Sequence, residues 1–217
     1  MIIALVITII LLKIIFKINI KKAKELKENE RLEKITDRFP KNIEIAKDIL
    51  ETLNNKNVSI EEAKDTKTSL YIAITDKIII ADIKNNYARI QTIAHECAHS
   101  VQERRVLLAN FAISNICILY YIIILILTIF RIINNYLLHI SIFILLNCVK
   151  MVIRTYLETE AITKSTYLAK EYIEKQNLCT TKEKENLLSE YKKINKMGNL
   201  FMIDNLLTSR VDMDFIV

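Results

Sequence analysis

Long unbroken apolar runs alternate along this chain with stretches in which apolar residues return every three or four positions. Residues 2–20, IIALVITIILLKIIFKINI, are apolar except at Thr8, Lys13, Lys17 and Asn19. A helix of that length rises about 28 Å, close to the hydrocarbon thickness of a bilayer, so the run predicts a membrane anchor. Lys13, Lys17, Lys21 and Lys24 form one helical stripe whose outer members can snorkel to the interface. Positive charge follows the run rather than preceding it, and no small-residue cleavage site is present, so the anchor is expected to stay uncleaved with its Lys-rich side in the cytoplasm.

Residues 21–36 mix both signs of charge, the pattern of a solvated juxtamembrane helix, and Pro40 punctuates them. Ile43, Ile45, Ala46, Ile49, Leu50 and Leu53 then keep helical spacing, and Asn54-Asn55-Lys56-Asn57 reads as the exit turn. A short strand is expected at Val58 to Ile60. SLYIAITDKIIIADI follows, two β-rich runs on either side of Thr75-Asp76, which predicts an antiparallel hairpin. After Asp82 the period becomes helical through Ile83, Tyr87, Ile90, Ile93, Ala94 and Cys97, up to Gln102.

Val106 to Phe130 runs for 25 residues without a charge, long enough to cross a bilayer. Ile132 to Ile153 is a weaker span, because Asn134, Asn135, His139, Asn147 and Lys150 interrupt it and are expected to face partner helices, His139 through a helix–helix hydrogen bond. Arg131 to Asn135 leaves room only for a hairpin turn. Beyond it come polar helices, one from about Arg154 to Lys175 and one capped near Thr180 or Thr181. The chain thus divides into an anchor (1–20), juxtamembrane helices with a small sheet and a motif helix (21–105), a transmembrane hairpin (106–153), and further helices (154–217).

Composition agrees with that reading. Fifty-two per cent of the residues are hydrophobic and there is one Gly and one Pro, too apolar and too poor in turn-formers for an ordinary soluble domain. The net charge of +6 is spread among acids and abuts apolar runs, so it points to membrane topology and not to a nucleic-acid partner. Arg104, Arg105, Lys150 and Arg154 border the hairpin on one side against Arg131 on the other, which places the motif side in the cytoplasm. Cys97, Cys117, Cys148 and Cys179 contain no CxxC pair and call for no disulfide. A soluble helical domain with 107–153 as a buried hairpin is the competing architecture.

Two of the three histidines lie in IAHECAHSVQ, residues 93–102. On a helix His95 and His99 share one face a turn apart and can reach one cation, while Glu96 sits about 100° around and can address a water on it. A hydrolytic zinc site takes three protein ligands and keeps one position open. All ligands must meet on one side of the bilayer, so the chain between His99 and its third partner crosses an even number of times, and the hydropathy offers two crossings. Glu158 and Glu160, in LETEAITKSTYLA, stand just beyond the second. Both His99 and Glu158 are expected roughly 10 Å outside the apolar zone at 1.5 Å per residue. The two glutamates are about 200° apart on a helix, so one of them at most joins the ion. Cys97 is expected to pack and not to ligate.

In their order along residues 42–175, AKDILETLNNKNVSIEEA, DKIIIADIKNNYARIQTIAHECAHSVQ and LETEAI resemble the membrane neutral zinc metallopeptidase family (YugP-like) and, more distantly, the HtpX-like membrane peptidases. The resemblance implies a mainly α membrane protein in a bacterial-type plasma membrane, with a small α+β zincin-like (gluzincin) domain containing a short antiparallel sheet, and the transmembrane hairpin inserted between the HExxH helix and the third-ligand helix. It implies one Zn²⁺ per chain on His95, His99 and Glu158 in preference to Glu160, with Glu96 as general base. The implied activity is endopeptidase cleavage of a polypeptide, membrane proteins included. Ala98 and Ser100 stand where the family has Gly and Ala, both small. Ile162 stands where relatives place Ser or Asp, removing a possible outer partner of a ligand histidine. That departure keeps open the alternative of an inactive membrane adaptor or scaffold. Substrate is expected as an added strand beside Ile78 to Ala81, and Tyr156, Tyr167 and Arg210 are candidate oxyanion donors.

Overall fold

The computed structural model describes residues 29–63, 68–83 and 86–208, with side chains described as far as Asn195. The anchor expected over residues 2–20 and the start of the juxtamembrane helix lie outside the described residues. Six helices and three strands follow: α1 (Glu30–Thr36), α2 (Asn42–Thr52), β1 (Ser59–Ala63), β2 (Leu70–Ile72), β3 (Lys77–Ala81), α3 (Arg89–His99), α4 (Arg104–Ile129), α5 (Tyr136–Gln176) and α6 (Thr181–Thr208). The chain is mainly helical with one small sheet.

The hairpin is present: β2 pairs antiparallel with β3, Tyr71 opposite Ile78, and Asp76 closes the turn at φ 52°. The Tyr71 hydroxyl donates to Asp76 Oδ1 at 2.8 Å, which fixes that left-handed residue. The sheet as a whole is not the antiparallel one expected. β1 lies parallel to β3, Ser59 opposite Lys77 and Ala63 opposite Ala81, giving the order β1-β3-β2. Ile78 and Ile80 on β3 are fully buried. They join the inward faces of α2 (Ile45, Ala46, Ile49), of α3 (Ile90, Ile93, Ala94) and of the polar half of α5 in one core.

The motif helix begins later than its period suggests. Ile83 and Tyr87 keep helical spacing, yet Asn86 Oδ1 accepts the Ala88 N–H at 2.8 Å, a side-chain turn that holds the chain out of helix until Arg89. Tyr191 on α6 then donates its hydroxyl to the Tyr87 carbonyl at 2.8 Å. Arg89 is 3 % exposed and, among the described residues, has no carboxylate partner in hydrogen-bond contact. Its guanidinium donates to the carbonyls of Thr36, Phe39 and Pro40 and to Asn42 Oδ1 at 2.6–3.0 Å. That pins the end of α1 and the start of α2 to the first turn of α3. Burial lowers the pKa of this group, opposed by the charge of Asp37. Arg89→Met takes the guanidinium donor from the Phe39 and Pro40 carbonyls and from Asn42 Oδ1, and one of two donors from the Thr36 carbonyl, and is expected to cost about 3 kcal/mol. A fall in Tm of roughly 6–12 °C in a thermal melt checks it.

α3 stops at His99. Asn55, in the loop after α2, donates its amide to the Ser100 carbonyl at 3.0 Å and to Ser100 Oγ at 3.1 Å, satisfying a carbonyl that the helix end leaves open. The chain turns through 100–103 into α4, so His99 and Val106 are not on one helix and their separation is not a helical rise.

α4 has 26 residues and rises about 39 Å, enough to cross a bilayer. Arg131, at φ 58°, makes the turn to α5. α5 is one unbroken helix of 41 residues, not an apolar span followed by a separate polar helix. Nothing at 153–154 interrupts its hydrogen bonding: the composition changes there and the backbone does not. Both apolar segments are long enough to cross a membrane, and hardly any of either is buried. Leu119 and Ile129 on α4 are 58 % and 69 % exposed, and Leu137 and Leu145 on α5 are 75 % and 63 % exposed, so the hairpin is not the buried core of a soluble domain. Inside the pair, the Tyr120 hydroxyl and His139 Nδ1 lie 3.0 Å apart, the expected helix–helix hydrogen bond. All four cysteines are free.

Candidate metal centre

α3 and α5 pack closely because the residues between them are small: Ala94, Ala98, Ala161 and Ala169 are fully buried. The Ala98 of the motif therefore does what a glycine would do there. This approach brings the His95–His99 face of α3 onto the first turn of α5 beyond its apolar half. His95 Nε2 and His99 Nε2 are 3.1 Å apart, His95 Nε2 lies 3.2 Å from Glu158 Oε2, and His99 Nε2 lies 3.8 Å from the same oxygen. Ligand atoms about 2.0–2.1 Å from one tetrahedral ion stand about 3.3 Å from each other, so the triangle has the dimensions such an ion requires. The group could hold a metal ion. Two imidazoles and one carboxylate suit a borderline cation such as zinc better than calcium or magnesium, which take oxygen ligands.

The three side chains keep 22 %, 13 % and 24 % of their surface, so the cluster is partly buried and remains accessible to solvent. Burial alone would raise the pKa of Glu158. The hydrogen bond from His95, the charges of both histidines and the nearby Arg154 outweigh it and hold the carboxyl at about 2. His95 is penalised by burial, yet its Glu158 bond and the charges of Glu96 and Glu158 raise its pKa overall. Burial and the charge of His95 lower that of His99. Glu96 is 7 % exposed. Burial pushes its carboxyl up to about 8, with the charge of Glu158 acting in the same direction; His95 and a backbone N–H bond from Tyr71 oppose the shift.

Among the residues singled out from sequence, His95, His99 and Glu158 come together, with Glu96 buried beside them. Glu160 does not join: it accepts from Gln102 Nε2 at 3.1 Å and pairs with Lys164 at 2.6 Å. Cys97 is fully buried on the opposite side of α3, its thiol 3.8 Å from the Ala46 carbonyl, where burial pushes its pKa up. Tyr156 and Tyr167 are 58 % and 70 % exposed, and helical phase puts both on the far side of α5 from Glu158, so neither is an oxyanion donor. Arg210 lies outside the described residues. The strand expected to receive substrate, Ile78–Ala81, is the central strand of the sheet with a partner on each side, so it has no free edge to offer.

Gln102 is the residue that sequence reasoning passed over. It is 6 % exposed, and its Oε1 stands 2.7 Å from His99 Nδ1. Its place three residues after the second histidine was the available signal: the turn that closes α3 folds that side chain back onto the ring. Gln102 thus meets the His99 ring at Nδ1, the nitrogen away from His95 and Glu158. No family model, no curated protein and no solved structure matches the chain.

Proposed function

We propose that this chain is a membrane-embedded zinc metalloendopeptidase of the YugP-like kind, with a gluzincin-type site on the cytoplasmic face and an N-terminal anchor. The observation that carries the reading is the convergence of His95, His99 and Glu158 within 4.8 Å of one another, next to a buried Glu96. The motif resemblance, the exposed apolar faces of α4 and α5, and the basic residues Arg104, Arg105, Lys150 and Arg154 at one end of that pair against Arg131 at the other support the class and its orientation. A bound zinc ion would supply Lewis-acid polarisation of the scissile carbonyl and a water acidic enough to react near neutral pH. His95, His99 and Glu158 would hold it. Glu96, one residue after His95 and buried beside the cluster, takes the proton from the attacking water and delivers it to the leaving amine.

Tyr71 of β2 lies against Glu96, and β2 is an edge strand of the three-stranded sheet. An extended substrate is assigned to that edge, where backbone hydrogen bonds position any sequence and neighbouring side chains select.

Removal of metal tests the activity. Purified full-length chain in detergent is expected to cleave an unfolded polypeptide, to lose that cleavage on chelation, and to regain it with one equivalent of zinc and not with magnesium. Cleavage that persists in chelator would overturn the assignment.

A further inference from the structure

Gln102 has obligate partners on both ends of its amide. Nε2 lies 2.6 Å from the Leu157 carbonyl oxygen and 3.1 Å from Glu160 Oε2, and both of these groups only accept hydrogen bonds when Glu160 is ionised. Turning the amide over would set its oxygen against two other oxygens in a buried site, so its orientation follows from its neighbours. Oε1 must therefore accept, and the atom it meets is His99 Nδ1 at 2.7 Å. That bond requires the proton on Nδ1, which leaves the lone pair of Nε2 directed at His95 and Glu158.

We propose that Gln102 is a positioning residue for the metal centre: clamped by Leu157 and Glu160 of α5, it locks His99 in the Nδ1–H tautomer and presents Nε2 as a ligand. The inference rests on the metal reading above. It also gives Glu160 a role: held by Lys164 on the same helix, it accepts from Gln102 and so ties the segment after α3 to the ligand-bearing turn of α5. Metal ligands commonly need such an outer partner, whose loss lowers affinity about 10–100-fold.

The test uses the full-length chain in micelles with ¹⁵N-labelled histidine, of which there are three. Two-bond ¹H–¹⁵N correlation spectra of chelated protein report each tautomer, and competition with a zinc chelator reports the Kd for zinc alone. His99 is expected as the Nδ1–H form in the wild type. Gln102→Met is expected to mix the two tautomers and to raise the zinc Kd about 10–100-fold, with the His139 signals unmoved. An Nε2–H form of His99 in the wild type overturns the proposal even if the variant fails to fold. Stoichiometric zinc in the wild type with an unchanged Kd in Gln102→Met overturns the role of Gln102 alone. No zinc uptake by the wild type sinks the metal reading, and the role of Gln102 with it.

Discussion

Glu158→Ala is expected to take the purified chain from about one bound zinc to a trace, with the Kd rising beyond the roughly 10–100-fold that follows loss of an outer partner. The reason is geometric. His95 and His99 come from one helix turn and can offer only one edge of a coordination polyhedron. The third corner comes from α5, where the Glu158 carboxylate reaches both rings within 3.8 Å. Among the described residues no other His, Cys, Asp or Glu groups with the pair, so alanine there leaves two imidazoles with no third ligand of the chain. The fold should survive the change, since Glu158 and its ion pairs are partly exposed. Zinc analysis, with thermal melts of both proteins in chelator, separates loss of metal from loss of fold: metal lost at an unchanged metal-free Tm is the expected result.

Glu96→Gln is expected to do the opposite, keeping stoichiometric zinc and reducing cleavage about 10²–10⁴-fold, the contribution of a general base. Glutamine preserves the shape of the buried side chain and can still accept the Tyr71 N–H through its carbonyl oxygen. It cannot take a proton from water. Single-turnover cleavage by the zinc-loaded variant is the measurement, and a rate within threefold of the wild type would remove Glu96 from the chemistry.

Much of the site was legible because its signals are local or follow from counting. The i, i+4 histidines need only a helix, and the return of Glu158 to their side follows from two apolar runs between them. The Thr75-Asp76 turn was legible for the same reason, as polar residues between two β-branched runs. What escaped depends on contacts far apart in sequence. β1 and β3 pair in parallel across residues that carry no mark of it, which turned an expected hairpin edge into a central strand and left β1 and β2 as the outer strands of the described sheet. The start of α3 was displaced because Asn86 and Tyr191 hold residues 86–88 in a turn that the spacing of Ile83 and Tyr87 conceals. At Ile153–Arg154 polarity changes with solvent while helix propensity does not, so a boundary of environment looked like a boundary of structure. Gln102 escaped because an amide becomes informative only when both of its ends are seen to be satisfied.

The most direct test is zinc K-edge absorption of the wild-type chain loaded with one equivalent of metal. The account predicts nitrogen and oxygen neighbours at about 2.0–2.1 Å with the outer-shell scattering of two imidazoles, and no sulfur near about 2.3 Å. A sulfur neighbour, which would bring Cys97 or another thiol to the ion, or a spectrum with fewer than two imidazoles, would contradict it.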